Sequence, residues 1–284
     1  RCYLDGVPLK PGQEINSETL LVRIGPDPLA LLEGYGDGLG ERMKARVGEG
    51  PPPTGWCSWY YFYGSDKASD VLANIEAIRQ ANLDLDVILV DDGYQTALGD
   101  WTSIDPVKYP DGMAAIAQAA EAANRRAGIW AAPFGVQDAS RVFKDHPDWV
   151  LRDERDEPVL GWRHNLAFPC YGLDLTHPDV LGWLEATFRE MRGWGYTFFK
   201  IDFLFAGALP GKRRDLTATR AQAIRRGLEA IRRGIGEESY LLGCGAPLGP
   251  CVGIVDGMRV GPDVSPTWDP LWDDLSMPST GNAM

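Results

Sequence analysis

Residues 198–204 read FFKIDFL, an apolar run in which only Lys200 and Asp202 carry charge. A short apolar run is typical of a strand in a parallel sheet, which helices cover on both faces. The two charged residues are two positions apart, so they lie on the same side of the strand. Because an unpaired charge in the core would cost too much free energy, we expect both side chains at the mouth of the fold.

The same pattern recurs on either side of this stretch. Short apolar runs alternate with segments whose apolar residues are spaced three, four and seven apart, as on one face of a helix. The predicted strands are Trp56–Tyr60, Val87–Asp91, Gly128–Phe134, Phe198–Leu204, Tyr240–Cys244 and Met258–Val264. The helical faces between them are predicted at Val71, Ile75 and Ile78; Met113, Ile116 and Ala120; Leu181, Leu184, Phe188 and Met191; and Ala221, Ile224, Leu228 and Ile231. This alternation predicts an α/β fold with a parallel sheet.

Polar residues at the strand ends favour a TIM (β/α)8 barrel over an open sheet. Active sites of such barrels are built at the carboxyl ends of the strands, where this sequence has Asp91, Asp92, Asp202, Cys244 and Asp263. No glycine-rich phosphate-binding motif follows any predicted strand. Since only six strand-and-helix units can be counted, we expect a barrel truncated after about six strands.

The first 50 residues have a different character. They are rich in turns, with one predicted strand over Leu20, Leu21, Val22 and Ile24, and three prolines follow at positions 51–53. We therefore expect residues 1–50 to be the tail of an upstream β-rich domain, of the β-sandwich type, together with a linker. Residues 51–284 are then the barrel, incomplete at its C-terminus.

Composition excludes several kinds of partner. The net charge of −12 and pI of about 4.7 disfavour nucleic acid, and no apolar run is long enough to span a membrane. The five cysteines are odd in number and contain no CxxC pair, which favours a reducing compartment such as the cytoplasm. This composition suits a neutral small molecule as the ligand better than a polyanion such as nucleic acid.

Several rim residues have the chemistry to bind a sugar. Asp91 and Asp92 could accept hydrogen bonds from hydroxyl groups at charge-assisted strength, although adjacent aspartates also bind metals or cap turns. Aromatic residues at the strand ends could stack on a sugar ring, although each alone is more often core; they are Trp56, Trp59, Tyr60, Trp101 and Trp130. His146 and His177 each precede a proline near a helix start and suit structural roles.

These residues fall within motifs of a known family. The stretches GWCSWYYFY, LVDDGYQ, GDW, AGIWAAPF, HPDWVL, WGYTFFKIDFLFAGALPG, TRAQAIRRGLEAIR and LLGCGAPLGPCVGIVDGMRVGPDV occur in family order between about residues 55 and 268. Through them the chain resembles the α-galactosidases of glycoside hydrolase family 36, and more distantly those of family 27.

The resemblance implies a role for each matching position. Asp202 corresponds to the catalytic nucleophile, on the fourth barrel strand, and Asp263 to the general acid/base, on the sixth. Asp91 and Asp92 correspond to the carboxylates that hold the 4- and 6-hydroxyls of galactose. The remaining substrate-binding positions are Trp59, Tyr60, Trp130, Lys200, Cys244 and Arg259.

The activity implied is retaining hydrolysis of terminal α-linked galactose, as in melibiose or raffinose, by double displacement. Lys200 is expected to keep the neighbouring Asp202 charged. The resemblance further implies no metal, no other cofactor, a galactoside as the ligand, and a cytoplasmic homo-oligomer for the full-length protein.

Three alternatives stay open from the sequence. A galactosyl transferase of the raffinose-synthase type would share the two-aspartate chemistry and differ in its acceptor. A metal-dependent barrel enzyme would use the aspartates at positions 91, 92, 202 and 263 as ligands. A non-catalytic sugar-binding module, or an inactive fragment of an enzyme, would bind without turnover.

Overall fold

Six parallel strands form the central sheet in the part of the protein that the structure describes. The structure, a computed structural model, describes residues 4–16, 19–48, 50–261 and 263. With strands numbered in chain order, the sheet order is β1-β2-β3-β7-β8-β9, comprising β1 (Gly55–Cys57), β2 (Val87–Val90), β3 (Arg126–Ala131), β7 (Phe198–Ile201), β8 (Tyr240–Cys244) and β9 (Gly257–Arg259). The sheet curls as part of a barrel, which confirms the predicted fold and strand count.

Helices between consecutive strands cover the outer face of the sheet. They are α3 (Ala68–Gln80), α4 (Gly112–Ala122), α6 (Pro178–Gly193) and α7 (Arg220–Ile235). The predicted faces of α3 and α4 are buried. In α6 and α7 the predicted residues are buried except Leu181, which is half-buried, and Ala221, which is exposed because Ala223 takes the inward position.

Five of the six strands end earlier than predicted, β2 by one residue, β3 by three, and β1, β7 and β9 for reasons visible in the backbone. After β1 the chain enters the short helix α2 (Trp59–Phe62), so Trp59 and Tyr60 are helical rather than extended. After β7 the backbone N–H of Asp202 still donates to the Ala131 carbonyl at 2.8 Å, but Phe203 has a φ of +52° and a 3-10 helix (Leu204–Ala208) follows. A left-handed residue cannot continue a strand, so the rim residues lie on turns. Strand β9 ends at Arg259, and Val264, the last residue of that predicted strand, lies outside the described residues.

The N-terminal region contains a helix that the sequence analysis did not predict. Helix α1 (Pro28–Met43) begins after Asp27, whose side chain accepts from the N–H groups of Leu29 and Ala30. No strand forms over residues 20–24, so that prediction was wrong for the described residues. Arg46 then pairs with Asp256 beside β9 and holds the segment against the barrel. Its assignment to an upstream β-rich domain stays a prediction.

A small antiparallel sheet interrupts the barrel between β3 and α6. Its order is β4-β6-β5, comprising β4 (Gly135–Gln137), β5 (Leu160–His164) and β6 (Phe168–Gly172), and the sequence analysis did not predict it. Two short helices, α5 (Arg141–Asp145) and α8 (Leu248–Cys251), complete the described elements. None of the helices in the described ranges is long and apolar enough to cross a bilayer.

Candidate active site

A pocket at the carboxyl ends of the barrel strands collects most of the predicted site residues. It is lined by Trp59, Asp91, Asp92, Trp130, His164, Asn165, Lys200, Asp202, Phe203 and Asp263. Of the other predicted residues, Tyr60, Cys244 and Arg259 are not part of this lining. Strands β1, β2, β3, β7 and β9 therefore all deliver residues to one place, as the rim of a barrel requires.

Asp91 is held by donors from two other strands. Its Oδ2 accepts from Lys200 Nζ at 2.7 Å and from the Cys57 thiol at 3.3 Å. Asp91 and Lys200 are buried, and Cys57 is half-buried. Burial alone would lower the pKa of Lys200, but Asp91, and more weakly Asp202, raise it above its ordinary value. Lys200 is thus a permanent cation whose direct partner is Asp91. Lys200 also interacts electrostatically with Asp202 but does not donate a hydrogen bond to it, and its expected role in keeping Asp202 charged stays a prediction.

Asp92 has one donor on each carboxylate oxygen. Gln95 Nε2 donates to Oδ1 at 2.6 Å, and His164 Nε2 lies 2.8 Å from Oδ2. His164 is 8% exposed and comes from β5 in the inserted sheet. This histidine was not among the site residues predicted from the sequence. One feature of the sequence sets His164 apart: of the three histidines, it alone does not precede a proline.

Asp202 is oriented by a main-chain and an indole donor. The N–H of Phe203 donates to Oδ1 at 2.7 Å, and Trp130 Nε1 donates to Oδ2 at 3.3 Å. Trp130 is itself fixed by an edge-on contact with the buried Trp101, at 5.8 Å between ring centroids. Burial and the neighbouring Asp202 carboxylate raise the pKa of the Cys244 thiol, so Cys244 stands behind Asp202 as a neutral group.

Asp263 reaches the pocket from beyond the last strand. Trp59 Nε1 donates to its Oδ2 at 3.2 Å, and Arg259 Nη1 donates to its Oδ1. Tyr60 lies near this group, and burial raises the pKa of its phenol. The two predicted catalytic aspartates therefore face one pocket, each with a tryptophan N–H on one oxygen.

The remaining candidates lie elsewhere or lack a ligand arrangement. His177 caps α6 by accepting from the Asp179 N–H at 3.2 Å, and His146 stacks on Trp149 at 3.9 Å between ring centroids, which fits structural roles for both. In the part of the chain that the structure describes, no three His, Cys, Asp or Glu side chains are grouped so as to hold a metal ion.

Fold and site together define a (β/α)-barrel protein with an acidic, tryptophan-lined pocket at the strand ends. The sequence profile of the melibiase family matches residues 54–202, and the chain belongs to that family. The matched range includes all the predicted site residues up to Asp202, whereas Cys244, Arg259 and Asp263 lie beyond it.

Individual relatives agree with this assignment. The chain is 32% identical over 116 residues to α-galactosidase 2 of Pediococcus pentosaceus, a match that covers 38% of this chain and 15% of the relative. It is 34% identical over 124 residues to an α-galactosidase of Escherichia coli, covering 41% and 16%.

Similarity to a solved structure extends further along the chain. An α-galactosidase from Thermus thermophilus in complex with p-nitrophenyl α-D-galactopyranoside is 38% identical, with a TM-score of 0.72. The match covers 82% of this chain and 47% of the other. The chain thus spans about half the length of this relative.

Proposed function

We propose that the protein is a retaining α-galactosidase that hydrolyses terminal α-linked galactose from oligosaccharides such as melibiose and raffinose. The observation that carries the proposal is the pocket in which Asp202 and Asp263 face the carboxylates of Asp91 and Asp92. The Thermus thermophilus α-galactosidase, which was also solved in complex with stachyose, supports a galactoside as the ligand.

The contacts of Asp202 suit a nucleophile. Each oxygen has one N–H donor, so a carboxylate lone pair stays available to attack the anomeric carbon. Asp263 would first protonate the glycosidic oxygen, so that the aglycone leaves and a glycosyl–enzyme ester forms on Asp202. Asp263 would then accept a proton from water, which attacks the anomeric carbon and releases galactose with its configuration retained.

Asp91 and Asp92 suit the recognition of galactose. As ionised groups they can only accept, and we assign them to the 4- and 6-hydroxyls of the sugar. The 4-hydroxyl is axial in galactose and equatorial in glucose, so an acceptor fixed at the axial position disfavours glucosides. Trp59 and Trp130 provide aromatic walls for the ring, and Tyr60, Cys244 and Arg259 support the groups that contact it.

Two features of the whole protein belong to this proposal. We expect a cytoplasmic location, which the four free cysteines among the described residues support: Cys57, Cys170, Cys244 and Cys251. We also expect the complete protein to assemble as a homo-oligomer.

The test is hydrolysis of p-nitrophenyl α-galactoside by the complete protein and its variants. Asp202→Gly should lose on the order of 10⁴-fold in kcat/KM or more, because no glycosyl–enzyme can form. Azide should restore turnover and yield β-galactosyl azide, since a small anion in the vacated space attacks from the side that the carboxylate occupied. Asp84→Asn, an exposed aspartate just before β2, is the matched control and should behave as wild type.

Two outcomes would overturn the proposal: an inactive wild-type protein, or an Asp202→Gly variant with full activity. A time course with raffinose separates hydrolysis, which releases galactose, from transfer, which makes a larger oligosaccharide. Chelator should leave the rate unchanged, whereas a metal-dependent enzyme would lose it.

A further inference from the structure

We propose that His164 is a positioning residue for galactose recognition: it holds the Asp92 carboxylate in the orientation that accepts a sugar hydroxyl. The inserted sheet β4-β6-β5 would then contribute to substrate specificity as well as to the structure of the barrel. This inference rests on the proposed function and deepens it, because it names a residue outside the barrel strands that tunes binding.

The contact itself has one consistent hydrogen-bond assignment. His164 Nε2 lies 2.8 Å from Asp92 Oδ2, and both residues are buried, at 8% and 6% exposure. An ionised carboxylate has no hydrogen to donate, so Nε2 of the imidazole must carry the hydrogen and donate it. In a buried site such a charge-assisted bond is stronger than one between neutral groups.

His164 is itself held on several sides. It pairs with Phe168 across the β5–β6 hairpin, and the Ala167 N–H donates to its carbonyl at 3.1 Å. Asn165 and Leu166 at the tip both have positive φ, as in the tight turns that match hairpin twist. The turn therefore fixes which face of β5 points toward the pocket.

Strand β5 also touches the residue that follows the nucleophile. Trp162, two positions before His164 and on the same strand face, stacks on Phe203 at 4.6 Å between ring centroids with 6° between the planes. His164 meets the same ring edge-on at 6.3 Å. The inserted strand thus packs between the Asp92 side and the Asp202 side of the pocket.

The arrangement around Asp92 explains why one donor should matter. Gln95 and His164 occupy one lone-pair direction on each oxygen, which leaves a second direction on each for substrate hydroxyls. Without His164, the carboxylate can rotate, and its Oδ2 loses its buried partner. Sugar binding should weaken, while the chemistry at Asp202 should change little.

The experiment measures kcat and KM for p-nitrophenyl α-galactoside in the complete protein. His164→Ala should raise KM about tenfold or more, as expected for loss of a hydrogen bond to a charged group, with kcat within about threefold of wild type. His164→Gln should recover most of the loss, because its amide Nε2 can still donate. His146→Ala, a histidine stacked outside the pocket, is the matched control and should keep the wild-type KM.

A double-mutant cycle with Asp92→Asn tests whether His164 acts through Asp92. In the Asp92→Asn background, His164→Ala should change KM by less than about twofold, since its partner is already altered. A full tenfold effect in that background, or a wild-type KM for His164→Ala when Asp92→Asn is impaired, would overturn the inference. If His164→Ala unfolds, His164→Phe, which keeps an aromatic ring beside Phe203 but has no hydrogen-bond donor, takes its place in the same cycle with the same expected result.

Calorimetric titration with free galactose distinguishes this inference from the proposed function. If the wild type binds galactose without hydrolysing galactosides, the function fails, and the cycle is then read from Kd values. If the wild type neither binds nor hydrolyses, both proposals are overturned.

Discussion

The central and outer strands of the sheet build their parts of the pocket differently. Strands β2 and β7 are buried at every residue, whereas β1 and β9 are three residues long and have no fully buried residue. The ion pairs follow the same division. Lys200 and Asp91 have side chains 5% and 3% exposed, compared with 29% and 25% for Arg259 and Asp263.

Because of this difference, the steps of the proposed catalytic cycle depend on different parts of the sheet. The groups proposed to hold galactose and to attack it come from the central strands, where neighbouring strands fix their partners on both sides. Asp263, the proposed proton donor, comes from the turn after β9, which pairs with a single strand among the described residues. We therefore expect changes at the centre to abolish binding or folding, and changes at the edge to act on proton transfer.

The largest expected effect separates proton transfer from nucleophilic attack. Asp263→Asn should lower kcat/KM for raffinose by about 10²–10⁴-fold, because a sugar alkoxide leaves poorly without a proton. The loss with p-nitrophenyl α-galactoside should be far smaller, since p-nitrophenolate is a stable anion. Steady-state kinetics on both substrates measure the ratio. Equal losses on both would mean that Asp263 has another role.

The two ion pairs should differ in their contribution to stability. Lys200→Met leaves the Asp91 charge buried without its cation and should cost about 3–5 kcal/mol in the free energy of unfolding. Arg259→Met breaks a partly exposed pair and should cost about 1 kcal/mol or less. Urea denaturation of both variants gives the comparison. Similar costs would show that the edge of the sheet is as tightly organised as its centre.

Lys108 links the loop that follows α2, at the edge of the sheet, to the loop that follows β2, nearer its centre. Lys108 Nζ donates to the carbonyls of Gly64, after α2, and Gly93, after Asp92, at 2.6 and 2.8 Å. Lys108→Met should raise KM a few-fold and lower the free energy of unfolding by about 2 kcal/mol. The reason is that the loop after α2, next to Trp59, loses its hydrogen-bonded connection to the loop after β2.

The control for this effect is Lys67→Met, which removes an exposed lysine at the start of α3 close to the same loop. Its KM and urea midpoint should match those of the wild type. If both variants behave alike, the link between the two loops does not matter for binding.

The barrel could be predicted from the sequence because its signals are local. The apolar run at 198–201 and the helical spacing of Val71, Ile75 and Ile78 reflect burial that depends on neighbours along the chain. Helix α1 escaped prediction although Asp27 and Pro28 form a regular start signal. Its four glycines lower helix propensity, and it buries no residue that would give an apolar face.

The site could be predicted only in part, because its contacts join distant residues. Lys200 was expected to keep Asp202, its neighbour on the strand, charged. Its hydrogen bond to Asp91, from the next strand but one, was not predicted, because it forms only where side chains of alternate strands meet in one layer. His164 lies 72 residues from Asp92 along the chain, and nothing in the local pattern of its hairpin indicates that contact.

The smallest expected effect concerns an ion pair on the loop that precedes α7. Asp215 accepts from the hydroxyl and N–H of Thr217 and from Arg226, which lower the pKa of its carboxyl to about 2. A lowered pKa in the folded state stabilises the protein above the unfolded pKa near 4, and this contribution is lost as pH falls toward 2. Because the pair is solvent-accessible, we expect about 0.5 kcal/mol at neutral pH.

Urea denaturation of the wild type and Asp215→Asn across this pH range measures the contribution of that charge. The difference in unfolding free energy should be present at pH 6, should fall steeply as the pH approaches 2, and should vanish only below the folded-state pKa, where the Asp215 carboxyl is protonated. Asp84→Asn, at an exposed position, should show a smaller pH dependence. A difference for Asp215→Asn that stays constant with pH would mean that the shape and hydrogen bonds of this side chain, rather than its charge, stabilise the loop.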